Sequence, residues 1–203
     1  MIQDIWPKHL DNQYKNLKPG NEDTVFYFQG SSLLARPSGH FNLQNSEENV
    51  LIYPQYDEFV QGIKSSYGDK AVDNFEFIYL LSIDEKHFFL ARKTGSLERG
   101  TFLGEMADSA VHKDMYSFVR GYEFIGVDSF RKAQPREHAY AAITAFHLYG
   151  WYRDNHFCGR CGKPLKHDDK QRMLRCDCCK NMVFPKICPA VIVAVTDQDR
   201  ILL

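Results

Sequence analysis

The chain has 203 residues, of which 44% are hydrophobic and 25% charged, and its formal net charge is −1. These values describe an ordinary soluble protein of one large or two small domains. A charge this close to zero argues against nucleic-acid binding through a uniformly basic surface, although a local basic groove stays open. The polar first twenty residues lack the apolar core of a secretion signal, and no stretch is apolar enough to span a membrane. We therefore expect a cytoplasmic location and no membrane partner.

Aromatic and β-branched residues predict β-strands in the first half of the chain. Residues 23–43 are predicted to form two strands joined by a turn, with breaks at Gly30 and at residues 37–39. Residues 75–93 are predicted to form a hairpin, because two apolar runs flank the polar residues 84–86. Two further strands are predicted at residues 49–56 and 101–106.

Two helices are predicted in the second half. Residues 112–124 have a moderate helical pattern, and residues 134–154 have the clearest one in the chain. Pro135 stands where a proline is tolerated in the first helical turn. The predicted apolar face of the longer helix consists of Ala139, Ile143, Phe146 and Gly150.

Four of the six cysteines form two Cys-x-x-Cys pairs near the end of the chain. Their spacing is C-x2-C-x14-C-x2-C, with members Cys158, Cys161, Cys176 and Cys179. Two intervening residues let one tight turn aim both thiolates at one ion, and Zn²⁺ takes four such ligands in a tetrahedron. Gly159 and Gly162 suit these turns because glycine tolerates positive φ. A site closed by four sulfurs has no open position for water, so the predicted Zn²⁺ is structural.

The alternative for these cysteines is that they are buried or joined in disulfides. All six lie in the last third of the chain, whereas a disulfide framework is usually spread over the fold, and a reducing compartment favours a metal. Cys178 is predicted not to be a ligand, because a Cys-x-Cys pair fits the turn poorly. Cys188 is predicted to be a small buried side chain, and His156 and His167 to be surface residues.

The end of the chain resembles a known enzyme family. The segments FCGRCGKPL at residues 157–165 and MLRCDCCKNMVFPKICPAVIVAV at residues 173–195 carry the resemblance. They are similar to the zinc ribbon and domain junction of bacterial NAD(H) pyrophosphatases of the Nudix superfamily, a group that includes enzymes removing NAD caps from RNA. The resemblance extends over residues 136–203.

The resemblance implies an α+β protein in three parts. Residues 1–153 would be a mixed α/β N-terminal domain, and residues 154–187 the zinc ribbon. Residues 188–203 would be the first strands of a truncated Nudix domain. Within it, the wholly apolar residues 190–195 predict a buried strand. We expect that strand to form a hairpin with residues 200–203 and to lie against the first domain or a second copy of the chain.

The sequence departs from the family at the catalytic motif. Nudix chemistry uses G-x5-E-x7-R-E-U-x-E-E-x-G-U, with U apolar, whose glutamates hold Mg²⁺ or Mn²⁺ ions that polarise the pyrophosphate. The only Glu-Glu pair here is Glu47-Glu48, and it lacks the required Arg-Glu before it. The chain is therefore expected to be an N-terminal fragment, inactive alone, of a parent that binds Mg²⁺ or Mn²⁺ in its catalytic domain.

Three substrate-contacting roles follow from the resemblance. Phe184 matches an aromatic residue that stacks on the substrate base across a homodimer, although packing on the Nudix sheet is an equal alternative. Gln171 stands where the family can carry a substrate-contacting glutamate. Arg131 resembles an arginine near the substrate phosphate, with a solvated arginine as the alternative.

Three functions are consistent with these observations. In the first, the parent cleaves the pyrophosphate of NAD(H) to nicotinamide mononucleotide and AMP, or that of NAD-capped RNA to 5′-monophosphate RNA. In the second, the chain is a stand-alone zinc-ribbon module that binds nucleic acid or protein. In the third, it is a purely structural dimerisation domain.

Overall fold

The first part of the chain forms a mixed β-sheet. The computed structural model describes residues 4–38, 50–94, 118–186, 193–197 and 200–201. Within those residues the sheet consists of β1 (Leu10–Asp11), β2 (Thr24–Gln29), β3 (Ser32–Ser38), β4 (Val50–Ile52), β5 (Phe75–Ile83), β6 (Lys86–Lys93) and β7 (Glu123–Gly126). The strand order is β1-β5-β6-β2-β3-β4, and β7 also pairs with β3. Only β2 and β6 run parallel among these described neighbours.

Most of the predicted strands are confirmed. β2 and β3 flank Gly30, which takes a φ of 56° in the turn between them, and β5 and β6 form the predicted hairpin. Pro37 and Ser38, predicted to be a break, instead lie inside β3 and pair with β4 at the margin of the sheet. A proline is tolerated there because the ladder with β4 is only three residues long. The predicted strand at residues 101–106 lies outside the described residues.

Helix α1 (Tyr56–Tyr67) was not predicted from the sequence. It begins with a capping box, in which the N–H of Glu58 donates to the side chain of Gln55 and the N–H of Gln55 donates to Oε2 of Glu58, at 3.1 Å. Phe59 and Ile63 follow at helical spacing and are fully buried. The capping box and the spacing of Phe59 and Ile63 can both be recognised in the sequence. They were missed because residues 49–56 were predicted to be a strand.

Both faces of the sheet are buried, each under one helix. The second long helix, α2 (Arg136–Asp154), confirms the helix predicted over residues 134–154. Along β6, Phe88 and Leu90 join the apolar core that contains α2, whereas Phe89 and Ala91 join the core that contains α1. This alternation places the sheet between the two helices, because successive side chains of a strand point to opposite faces.

The buried face of α2 is built mainly from small residues. It consists of Ala139, Ala141, Ala142, Ala145, Leu148, Trp151 and Tyr152. Of the predicted face, Ala139 is buried, but Ile143 and Phe146 are only half-buried at its margin. The alanines allow the helix to approach the sheet closely, which the hydrophobicity pattern alone does not reveal.

The helix predicted over residues 112–124 is wrong where the structure describes it. Residues 118–122 form a turn, and Glu123 begins strand β7. Gly121 has a φ of 81°, which no right-handed helix contains. Phe124 and Ile125 pair with β3, so sheet formation outweighed the weak helical pattern. Residues 112–117 lie outside the described part of the chain.

A small three-stranded sheet follows α2. Its strands are β8 (Leu165–His167), β9 (Leu174–Cys176) and β10 (Met182–Val183), in the antiparallel order β10-β9-β8. We call residues 155–186 the ribbon. Together with the mixed sheet and helices, it confirms the predicted α+β class with four cysteines brought close together.

The last described residues form a short hairpin. β11 (Thr196–Asp197) pairs with β12 (Arg200–Ile201), so residues 200–201 do pair in a hairpin, but with residues 196–197 rather than with the predicted strand 190–195. Residues 190–192 lie outside the described part, but residues 193–195 are not in a strand and residues 193–196 are exposed. Val193 is 73% exposed, so these residues are not buried against the first domain, and the alternative that they lie against a second copy of the chain stays a prediction.

None of the helices that the structure describes is long and apolar enough to cross a membrane.

Candidate metal centre

The first cysteine turn is closed by two backbone hydrogen bonds. The N–H of Cys158 donates to the carbonyl of Lys163, at 2.8 Å, and the N–H of Gly162 donates to the carbonyl of Cys158, at 2.8 Å. Gly162 has a φ of 71°, as the sequence predicted. Gly159 does not have a positive φ, so its predicted role in the turn is wrong.

The second cysteine turn repeats the same geometry with different residues. The N–H of Cys176 donates to the carbonyl of Asn181, at 2.9 Å, and that of Lys180 donates to the carbonyl of Cys176, at 3.0 Å. Lys180 occupies the position of Gly162 and has a φ of 60°. A lysine at positive φ is strained, and no sequence pattern predicts this conformation at Lys180.

The two turns bring four sulfur atoms together. The Sγ atoms of Cys158 and Cys179 are 3.5 Å apart. Those of Cys161 and Cys176 are 3.4 Å apart, and all four lie within 4.8 Å of one another. A disulfide is about 2.05 Å long, so these are not disulfides. Four sulfurs at about 2.3 Å from a central Zn²⁺ would lie about 3.8 Å apart, which this arrangement approaches.

The four thiols of the cluster differ in their pKa shifts: those of Cys158 and Cys176 are lowered, whereas burial and contacts with neighbouring thiols raise those of Cys161 and Cys179. Burial by itself raises the pKa of the Cys158 thiol, but the backbone N–H groups of Arg160 and Cys161 outweigh burial and lower that pKa to about 6. The N–H of Arg160 lies 3.4 Å from the Cys158 sulfur, and the side-chain amide of Asn181 lies 3.6 Å from it. The donor set fits Zn²⁺ because four sulfur atoms converge on one point, and each binds the ion as a thiolate.

The other cysteines and histidines lie outside this cluster. Cys178 is exposed and is not a member of it, while Cys188 is outside the described residues. His156 and His167 are half-buried rather than on the open surface, and neither is a member. The Nε2 atom of His167 lies 2.7 Å from the hydroxyl of Tyr152, at the junction between the ribbon and α2.

The ribbon is docked on the sheet through apolar and polar contacts. Leu174 is 2% exposed and belongs to the same apolar core as α2 and the sheet. Arg172 donates from Nη2 to the carbonyl of Leu80 in β5, and its guanidinium stands over the ring of Tyr14. Sequence reasoning missed this docking, because it depends on contacts between residues far apart in the chain.

The three residues predicted to contact substrate lie in three places. Phe184 follows β10 and is 49% exposed. Gln171 is exposed in the loop between β8 and β9, where its N–H donates to Oδ1 of Asp168 at 3.0 Å. Arg131 lies in the 3-10 helix Val127–Lys132 that precedes α2. These positions do not test substrate binding, which stays a prediction for all three residues.

Known proteins resemble part of this chain. A NAD-capped RNA hydrolase NudC of Pseudomonas aeruginosa is 40% identical over 53 residues, which are 26% of this chain and 19% of the relative. One of Pseudomonas putida is 42% identical over 53 residues, with the same coverage of both chains. One of Salmonella typhi is 38% identical over 56 residues, covering 28% of this chain and 22% of the relative.

These matches are short. Each spans about a fifth of the relative's own length. No protein-family model matches the chain. The similarity supports a relationship to NAD-capped RNA hydrolases over part of the chain, and the activity and substrates of the whole protein are treated below as proposals.

Proposed function

We propose that Cys158, Cys161, Cys176 and Cys179 bind one Zn²⁺ ion and that this ion is structural. The observation that supports this is the cluster of four sulfurs within 4.8 Å of one another, formed by two turns of matching geometry. Zn²⁺ would replace a hydrophobic core that the ribbon lacks, and a site with four sulfur ligands offers no position for a reacting water.

The chain is proposed to be the N-terminal part of a Nudix hydrolase. In this proposal, residues 1–153 form the N-terminal domain, residues 154–187 the zinc ribbon and residues 188–203 the start of the catalytic domain. The parent cleaves the pyrophosphate of NAD(H) or of NAD-capped RNA with Mg²⁺ or Mn²⁺ held by its catalytic domain, and acts as a homodimer. The support is the similarity to relatives named NAD-capped RNA hydrolase together with the cysteine cluster.

Phe184 is proposed to stack on a base of the substrate. Its ring is about half-exposed at the end of β10 and so is accessible to a partner. Gln171 and Arg131 are proposed as further substrate contacts, with Arg131 near the phosphate. Stacking of a base on an aromatic ring contributes about 1–3 kcal/mol, so the loss of Phe184 should lower affinity by roughly tenfold or more.

A chimera tests this proposal. Residues 1–187 would replace the corresponding part of the Pseudomonas aeruginosa relative, and the product would be assayed for conversion of NAD-capped RNA to 5′-monophosphate RNA. We expect activity with Mg²⁺ or Mn²⁺, and we expect Phe184→Ala to lower kcat/KM about tenfold. Phe157→Ala is the matched control, because Phe157 is a ribbon ring with 52% exposure.

Two results would count against the proposal. One is a folded, zinc-loaded chimera that is inactive while the intact relative is active. The other is an active chimera in which Phe184→Ala and Phe157→Ala have the same effect. The 203-residue chain by itself is expected to release no nicotinamide mononucleotide and AMP from NAD⁺, and no reduced nicotinamide mononucleotide and AMP from NADH, because its sequence contains no glutamate motif of the Nudix type.

A stand-alone nucleic-acid-binding ribbon is the second candidate. Basic residues of the ribbon favour it, but several already have partners. Lys166 lies 2.6 Å from Asp177, and Arg172 donates to the carbonyl of Leu80. Binding of single-stranded RNA by the isolated chain, with a steep dependence on salt, would support this candidate over the hydrolase proposal.

A further inference from the structure

A cavity lies between the ribbon and the edge of the first sheet. Its volume is 510 Å³, which falls within the range of small-molecule sites. One wall is formed by β5 and β6, including Glu76 and Arg92, and a second by β8, including His167. Tyr14 and the residues after it form the third side. The cavity is separate from the cysteine cluster, and no role assigned above involves it.

The charges that line the cavity are balanced. Arg92 is joined to Glu76 by a hydrogen-bonded ion pair of 2.7 Å. Lys166 is paired with Asp177, at 2.6 Å, and Asp169 adds a further carboxylate to the lining. No cation in the lining is therefore left without a nearby carboxylate, and the cavity has no excess positive charge to hold a free phosphate or polyphosphate.

The Glu76–Arg92 pair offers an acceptor and donors side by side. Nη2 of Arg92 donates to Oε2 of Glu76, which leaves other guanidinium N–H groups and the second carboxylate oxygen for a ligand. The ring of Tyr152 lies under the guanidinium, at 5.1 Å, and fixes its position. A ligand that matches this wall has a hydrogen-bond donor next to an acceptor.

Two aromatic rings also line the cavity, those of Tyr14 and His167. The rings of Tyr14 and His167 have centroids 5.2 Å apart, and Tyr14 is in turn covered by the guanidinium of Arg172. Burial lowers the pKa of His167, so its ring is neutral at pH 7. A flat, uncharged ring can contact these side chains without displacing a charge.

We propose that this cavity binds a nucleoside through its base. The base of guanosine presents a carbonyl acceptor beside an N–H donor on its Watson–Crick edge, which matches Arg92 and Glu76, while its ring packs on Tyr14 and His167. The sugar would project towards Asp169, whose carboxylate can accept from its hydroxyls. This site goes beyond the proposed hydrolase function and needs neither the metal nor catalytic activity.

Titration of the full chain with guanosine tests the site. Nuclear magnetic resonance would follow the backbone signals of Tyr14, Thr94 and Asp169, and calorimetry would give the affinity. We expect saturable shifts at these positions, and about tenfold weaker binding after Glu76→Gln, because a charge-assisted hydrogen bond is lost. Glu85→Gln is the control, since Glu85 is an exposed glutamate in the turn between β5 and β6 and outside the cavity lining.

Ligand controls separate base recognition from anion binding. 1-Methylguanosine lacks the N–H donor and should bind about tenfold more weakly than guanosine. Inorganic pyrophosphate should not compete. The proposal is overturned if guanosine at millimolar concentration shifts none of the three signals, if Glu76→Gln and Glu85→Gln bind equally, or if pyrophosphate displaces the nucleoside.

Discussion

The sheet region and the ribbon differ in what holds them folded. The sheet has large side chains buried on both faces, among them Phe26, Phe88 and Phe89, which are fully inaccessible. In the ribbon, residues 155–186, the buried side chains are Cys158, Met173, Leu174 and Cys176. Half of these are cysteines of the cluster. The sheet region therefore has a hydrophobic core of its own, whereas we propose that the ribbon depends on a bound metal and on its docking contacts.

The largest effect is expected from removing the metal. After chelation, residues 157–183 should lose protection of their amides against hydrogen exchange, while strands β2, β5 and β6 keep theirs. The reason is that structural Zn²⁺ contributes about 10–16 kcal/mol to folding in ribbon-sized peptides. Hydrogen exchange read by mass spectrometry gives both regions in one experiment. Unchanged protection of the ribbon in metal-free protein would show that its core is sufficient alone.

The next effect concerns the apolar docking contact. Leu174→Ala should destabilise the protein by about 2–5 kcal/mol, because Leu174 is 2% exposed in the core shared with the sheet. Leu165→Ala is the matched control and should cost less, since Leu165 is only partly buried against the same core. Urea unfolding measures both. A loss below about 1 kcal/mol for Leu174→Ala would mean that the ribbon does not share the core of the sheet.

The sheet region is expected to show its own pH dependence. Burial, with smaller contributions from Lys86 and Lys8, lowers the pKa of His138 to about 4. The unfolded chain, with a histidine pKa near 6.5, then binds more protons between these values, so stability falls as pH decreases from about 6.5 to 4. The loss is at most roughly 3 kcal/mol, because His138 is only half-buried and solvent screens part of the effect.

Two variants isolate the contribution of this histidine from acid release of metal. His138→Gln should flatten the fall in unfolding free energy between pH 6.5 and 5, and His147→Gln, an exposed histidine on the same helix, should leave it unchanged. Both variants keep the cysteines, so their difference reports on His138 alone. An equal pH slope for both variants would rule out the buried histidine as the cause.

The smallest effect is expected in the second cysteine turn. Lys180→Gly should stabilise the ribbon by about 0.5–1 kcal/mol, because Lys180 has a φ of 60° that glycine adopts without strain. Lys163→Gly, in the first turn at a position without a positive φ, should instead be neutral or destabilising. Thermal unfolding of the zinc-loaded protein compares the two. The same shift for both would contradict the strain at Lys180.

The sequence predicted local patterns better than long-range contacts. The β5–β6 hairpin, helix α2 and the cysteine cluster all depend on residues close together or on regular spacing, and the structure contains each of them. Strand β7 was predicted as helix because its partner, β3, is about ninety positions earlier in the chain. The sequence near β7 does not show which distant strand it pairs with, and its four residues are too few for a clear alternating pattern.

Within the cysteine site and its surroundings, local features could likewise be predicted from the sequence, whereas long-range contacts could not. Gly162 could be assigned to its turn because glycine is the usual residue at positive φ, whereas Lys180 carries no such signal. The contact of His167 with Tyr152 and that of Arg172 with Leu80 arise from docking and could not be predicted from spacing. The roles of Phe184, Gln171 and Arg131 stay predictions.

The most direct test of the metal-dependent ribbon is the metal content of the purified chain. Elemental analysis after dialysis should give one zinc per chain, and simultaneous Cys→Ser changes at Cys158, Cys161, Cys176 and Cys179 should abolish it. Cys178→Ser is the control and should keep one zinc, because Cys178 lies outside the cluster. A zinc content near zero in the unaltered chain, or zinc that survives the fourfold change, would contradict the account.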